Sequence, residues 1–244
     1  MEQCQGHQVF RGDRWGNVPE KVDYIYDLAA YGNLHGQGNL PETYRANIYR
    51  LARLFDNAKD YKGLVITSSN SVKLRLGMYY QASKIAAEML AKIMAEKGKP
   101  VAIMRPFSVT GVGEQSVHLI PKLIRSCLYQ EAIPFVPNAA HDFIDVEDVS
   151  DAYILAAKKA DNHPGQLLEA GWGKSYTNNQ VKEIVEEVTG KKAAIREVSS
   201  LRTHDVTEYV ADNASLKALG WRPIKPLYQS ISEMVQKELN GKTK

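Results

Sequence analysis

The chain has 244 residues, 44% hydrophobic and 24% charged, enough for one large core or a core with a smaller second lobe, and this usage excludes collagen, coiled coil and disorder. No run of about 18 apolar residues occurs, and the first residues lack the basic-then-apolar order of a signal peptide, so the sequence predicts a cytosolic chain without a membrane span. Cys4 and Cys127 are too few for a disulfide framework and have no metal-ligand spacing with histidine, while a net charge of +3 with both signs interspersed argues against nucleic acid as a partner.

Short apolar runs at 9–10, 22–26, 63–66, 101–104 and 167–169 read as strands, and helical patterns fall between them. The first helix is expected over 41–58. It opens on Pro41, whose missing N–H costs nothing in a first turn, and carries Ile48, Leu51, Leu54 and Phe55 on one face. The second is expected over 81–97, where Ile85, Ala86, Met89, Leu90, Ile93 and Met94 recur at helical spacing before Gly98 stops the run. Strands alternating with helices predict an α/β fold with a parallel sheet and helices on both faces. After Met104 the texture changes to proline-punctuated loops and shorter helices, which predicts a smaller lobe. There Thr177-Asn-Asn-Gln180 forms a capping box for a helix ending at Gly190, and helices over 213–219 and 228–240 complete the chain.

Tyr80 and Lys84 stand one turn apart on a single helix face. A phenol with an ordinary pKa of about 10 is a poor base near neutral pH, and a cation one turn away is expected to favour the phenolate. With 13 tyrosines present, about one such spacing arises by chance, so position has to decide its meaning. Ser68 and Ser69 directly follow the strand at 63–66, and the Tyr80 helix comes after a short loop. A hydroxyl at the C-terminal end of a parallel strand lies where open α/β sheets bind ligands. Ser69, Tyr80 and Lys84 are therefore expected to converge on one substrate hydroxyl or carbonyl.

These residues fall within a longer ordered set. Thr67-Ser-Ser-Asn-Ser-Val72, Tyr80-x-x-x-Lys84, Arg105-Pro-Phe-Ser-Val-Thr-Gly111, His141-Asp-Phe-Ile-Asp-Val-Glu-Asp148 and Leu219-Gly-Trp-x-Pro223 resemble the landmarks of extended short-chain dehydrogenases/reductases. More narrowly, they resemble the nucleotide-sugar epimerase/dehydratase family. The resemblance implies a Rossmann-like parallel sheet flanked by helices, truncated at its N-terminal side, over 1–110. It places a small substrate lobe over 111–244, with late segments returning to the core. It implies NAD or NADP as cofactor and a nucleotide sugar as substrate. Ser69 would polarise a sugar hydroxyl or ketone, Tyr80 would exchange the proton, and Lys84 would bind the nicotinamide ribose. On the cofactor side it assigns Asp13 near the adenine, Ala29 and Ala30 in the Leu-Ala-Ala turn, and Asn47. Ser108, His141 and Arg202 would bind the substrate, Arg202 as a planar donor fork for the diphosphate. It also implies a homodimer through the helices at 41–58 and 81–97.

The pattern departs from the family in places that carry meaning. No Gly-x-x-Gly-x-x-Gly phosphate turn precedes Val9, so cofactor binding is expected to be weak or absent unless it is rebuilt or supplied by another chain. Asn70 and Ser71 stand where dehydratases carry acidic residues, which disfavours dehydration. Ser108 replaces an asparagine and His141 an arginine, and an imidazole is a weaker, pH-dependent phosphate ligand. The expected activity is nucleotide-sugar epimerisation or 4-keto-sugar reduction. The alternative is a non-catalytic relative that binds a sugar nucleotide or a protein.

Overall fold

The computed structural model describes residues 18–33, 37–73, 78–199 and 210–241. Strand β1 (Tyr24–Asp27) is followed by a continuous helical stretch made of α1 (Leu40–Tyr44), a π-helical turn (Arg45–Tyr49) and α2 (Arg50–Asn57). Then come β2 (Gly63–Thr67), α3 (Tyr79–Glu96) and β3 (Val101–Pro106). β1 pairs with β2 and β2 with β3, both in parallel, with Tyr24 opposite Gly63 and Leu64 opposite Val101. The strand Leu167–Ala170 continues the sheet beyond β3. Parallel neighbours need crossovers rather than tight turns, and the two helical stretches supply them. The strand expected at 9–10 lies outside the described residues.

Leu64, Val65 and Ile66 are all fully buried, as a continuous apolar run must be when both faces of its sheet are covered. Gly63 permits one of those coverings. A Cβ there would sit 2.0 Å from the carbonyl oxygen of Ala157, so only glycine lets the last turns of the helix Val146–Lys159 lie directly on β2.

The helices present different faces from the ones that their apolar patterns suggest. What α3 buries is Lys84, Ala87, Glu88 and Ala91, together with Gln81 and Ser83. Leu90 and Met94 pack at the margin of the core. Ile85, Met89 and Ile93 are 42%, 61% and 45% exposed. At roughly 100° per residue, six apolar positions span a wider arc than one sheet can cover, and the small alanines take the part that faces it. In the first helical stretch Leu51, Leu54 and Phe55 enter the core, whereas Tyr44 and Tyr49 stay exposed.

Packing divides the chain into two compact units, Met1–Arg105 with Tyr153–Leu168 and Pro106–Ala152 with Glu169–Lys244. The first has its core between β1–β3, α2 and α3. In the second, the helices Leu119–Tyr129, Asn178–Thr189 and Leu227–Gly241 bury Ile120, Leu123, Val181, Ile231 and their neighbours against one another. Leu119–Tyr129 and Val146–Lys159 are longer than the expected short helices. Pro121 falls in the first turn of one, where it is tolerated. The other opens on Glu147 and Asp148 and closes on Lys158 and Lys159, the charge order a helix dipole favours. The Thr177 capping box forms with both of its bonds, Gln180 N to Thr177 Oγ1 at 3.1 Å and Thr177 N to Gln180 Oε1 at 2.8 Å. Among the described residues, no helix is long and apolar enough to cross a membrane, and no cluster of metal-ligating side chains occurs.

Candidate active site

The register sets Asp27 opposite Ile66 and Thr67 opposite Met104, so the C-terminal ends of β1, β2 and β3 share one edge of the sheet. Ser68 extends the ladder by one residue, its N–H donating to the Met104 carbonyl at 2.7 Å, and Ser69 comes next. The Ser69 hydroxyl accepts from the Ser71 N–H at 3.1 Å and donates to Asn70 Oδ1 at 3.4 Å, and it stands close enough to Tyr80, in the first turn of α3, to lower the pKa of that phenol. Lys84, one turn further along and only 3% exposed, donates to the Thr67 carbonyl at 2.7 Å and stands 5.6 Å from the centroid of the Tyr80 ring. The structure thus brings Ser69, Tyr80 and Lys84 together at the end of β2.

Their electrostatics correct one expectation from sequence. Tyr80 has its pKa raised above that of an ordinary phenol, because burial outweighs the opposing effect of Ser69. The spacing supplied a cation for this phenol, but the Lys84 ammonium lies over the ring and is directed to the Thr67 carbonyl. Lys84 is itself lowered to about 8, chiefly by burial, with Asp27 pulling its pKa up and Arg50 pushing it down.

The π-helical turn centres on Asn47, and such turns recur at functional positions. The Asn47 amide accepts from Tyr31 N–H and donates to the Tyr31 carbonyl and to Ser83 Oγ, each at 2.8 Å. Ser83 Oγ in turn donates to the Tyr80 carbonyl at 2.7 Å. A continuous chain of bonds thus joins the loop after β1 to the turn that bears Tyr80, and both amide protons of Asn47 are engaged in it. Nearly one helical turn later, Arg50 pairs with Asp27 at 2.6 Å and reaches the Ala29 carbonyl at 3.2 Å. Ala29 and Ala30 are exposed beside that anchored backbone. Gly32 closes the loop, and a Cβ on it would lie 3.2 Å from the Cβ of Tyr80.

Ser108 and His141 belong to the second unit. Ser108 N–H donates to the Asp142 carbonyl at 3.0 Å, and the His141 ring meets Phe143 edge to face at 5.8 Å. Within that unit the buried Asp142 carboxylate accepts from the N–H groups of Trp172, Gly173 and Ala211 at 2.7, 2.9 and 3.0 Å. Asp13 and Arg202 lie outside the described residues. Sequence reasoning assigned no role to Asp27, Arg50, Gly32 or Glu88. A signal existed for two of the charged ones: Arg50 follows Asn47 by three residues and Glu88 follows Lys84 by four, each sharing a helix face with a residue already singled out.

An ammonium has three N–H donors, and Lys84 uses one on Thr67, which leaves two for the vicinal hydroxyls of a ribose. The donor set therefore fits a ribose-bearing cofactor, and the Ser69–Tyr80 pair can pass a proton to or from an oxygen beside it.

A model of the NAD dependent epimerase/dehydratase family matches residues 9–171. A CDP-abequose synthase of Salmonella muenchen is 26% identical over 226 residues, covering 86% of this chain and 76% of that protein. A UDP-glucose 4-epimerase of Lactobacillus helveticus is 25% identical over 253 residues, covering 88% and 76%. The solved structure of MoeE5 in complex with UDP-glucose and NAD superposes with a TM-score of 0.83 at 26% identity, covering 95% of this chain and 85% of that one. The family match takes in the strand end with Ser69 and the helix with Tyr80 and Lys84 and spans well over half of the sequence: the chain belongs to the NAD dependent epimerase/dehydratase family.

Proposed function

We propose that the chain is an NAD- or NADP-dependent epimerase or 4-keto reductase of nucleotide sugars, with Ser69, Tyr80 and Lys84 at the reacting centre. The observation that carries this reading is the gathering of Ser69, Tyr80 and buried Lys84 at the C-terminal edge of a parallel sheet, with the Lys84 ammonium bonded to the Thr67 carbonyl and 5.6 Å from the centroid of the phenol ring. The nucleotide sugar and NAD in the MoeE5 complex support the class of substrate and cofactor.

A sugar oxygen beside the pair would be polarised by the Ser69 hydroxyl and would exchange its proton with Tyr80. Lys84, fixed by Thr67, offers its remaining protons to the ribose. A bound nicotinamide supplies the two-electron acceptor and donor for the sugar carbon. Asn47 and Arg50 act on the cofactor side by holding the peptide groups of Tyr31 and Ala29, beside Ala30. From the sequence, Asp13 serves the adenine end, and Ser108, His141 and Arg202 serve the nucleotide sugar. No carboxylate occupies positions 70 and 71, so elimination of water is not the favoured outcome.

Proton NMR of UDP-glucose incubated with the protein and NAD tests this. Inversion at C4 supports the epimerase, and NADH-dependent reduction of a UDP-4-keto sugar supports the reductase. Binding of the nucleotide sugar with neither reaction, across UDP-, CDP-, GDP- and dTDP-linked substrates, would overturn the enzymatic reading in favour of a binding protein.

We further infer a homodimer through the helices of 41–58 and 81–97. Tyr44, Tyr49, Ile85, Met89 and Ile93 are exposed apolar residues on those helices, and a two-fold contact with a second copy is the commonest way to cover such a surface.

A further inference from the structure

We infer that Glu88 is a positioning residue for the reacting hydroxyls, acting through Ser68; this rests on the assignment of Ser69 and Tyr80 above. Three consecutive residues at the end of β2 are gripped by one stripe of α3. The Thr67 carbonyl accepts from Lys84, the Ser68 hydroxyl donates to Glu88, and Ser69 stands beside Tyr80. Tyr80, Lys84 and Glu88 follow one another at four-residue intervals, which places them along one side of the helix. The strand end therefore stops where α3 holds it.

Glu88 is in turn fixed by the end of the neighbouring strand. Arg105, at the end of β3, donates to it twice, Nε to Oε1 and Nη2 to Oε2, both at 2.7 Å. A bidentate fork of this kind fixes orientation as well as distance. Glu88 is 6% exposed and Ser68 1% exposed, so water does not compete for either. Buried ion pairs are often replaceable by apolar side chains without loss of stability, which makes fold stability alone a poor account of this arrangement. Geometry gives a better one. The Ser68 backbone is tied to Met104 and its hydroxyl to Glu88, so the adjoining Ser69 keeps little freedom, and reacting groups displaced by about 1 Å can lose on the order of 10² in rate.

The test uses the full chain, isotopically labelled at tyrosine Cζ, with the Tyr80 resonance identified by its loss in Tyr80→Phe. Ser68→Ala removes one hydroxyl and leaves the Glu88–Arg105 pair intact. It should shift the Tyr80 resonance in the same direction as Ser69→Ala, with the melting temperature within about 3 °C of the parent. Glu88→Gln should do the same where it folds. In turnover, Ser68→Ala should lower kcat about tenfold with KM changed less than about twofold, the split expected of misplaced chemistry rather than lost binding. A Tyr80 resonance unmoved by Ser68→Ala, or unmoved by Ser69→Ala itself, overturns the proposal. A parent protein without turnover would count against the proposed activity alone, because the NMR readout needs no substrate.

Discussion

Gly32 faces Tyr80 so closely that a methyl group on it would lie 3.2 Å from the tyrosine Cβ, and its φ of +103° is a conformation L side chains rarely adopt. Gly32→Ala should therefore cost about 1–3 kcal/mol of stability from backbone strain and should also displace the phenol. Urea unfolding measures the first effect and kcat the second. A variant as stable and as active as the parent would show that the loop simply moves away.

Tyr80→Phe should lower kcat by about 10² to 10⁴ and leave KM nearly unchanged, since it removes the proton-exchanging group and keeps the ring. Ser69→Ala should follow the same pattern less severely. Steady-state kinetics at saturating cofactor would check both, and unchanged turnover in Tyr80→Phe would remove the phenol from the mechanism.

Lys84 provides a pH signature. Its pKa is about 8 in the folded chain against an ordinary 10.5. Between those values the unfolded chain binds more protons than the folded one, so this group makes stability rise with pH across about 8 to 10.5, by a total of about 3 kcal/mol. The penalty for burying the ammonium applies in full below that window. Other groups also titrate there, so the readout is the difference between the parent and Lys84→Met in urea unfolding at stepped pH. The parent should gain on the variant as pH rises, and a flat difference would mean that Lys84 is not desolvated.

Asp27 and Arg50 are 8% and 7% exposed and only 2.6 Å apart. Asp27→Asn leaves a buried guanidinium without its counter-ion and should cost about 3–5 kcal/mol, while combining Asp27→Asn with Arg50→Met should recover part of that loss. Thermal or urea unfolding of the single and double variants would decide. Equal losses would mean that the pair is screened by solvent.

Much of this architecture was legible because it is written in short-range pattern. The runs that became β1, β2 and β3, the Thr177 capping box and the helix of Tyr80 all follow from local spacing. Ser69, Tyr80 and Lys84 could be singled out because strand, short loop and helix come in that order. Less legible was which face of α3 meets the sheet. Periodicity groups Ile85, Met89 and Ile93 without saying what they face, and the sheet takes Ala87 and Ala91 instead. Buried charges such as Asp27, Arg50 and Glu88 give no apolar signal, and their partners are distant in sequence. The direction of the Tyr80 shift depends on burial, which spacing alone does not reveal.

The exposed stripe on α3 gives a prediction about assembly. Met89→Glu, at a position 61% exposed, should leave the fold intact and abolish self-association. Sedimentation equilibrium at micromolar concentration would read it, and a parent that already behaves as a 27.3 kDa monomer would refute the interface.

A single-turnover experiment would mix the protein with NAD or NADP and a panel of UDP-, CDP-, GDP- and dTDP-sugars while following the near-ultraviolet absorbance of reduced nicotinamide. The Ser69–Tyr80–Lys84 site predicts that at least one sugar reduces the cofactor and that Tyr80→Phe slows this step by about 10² or more. No reduction with any pair at saturation, or the same rate in Tyr80→Phe, would contradict it.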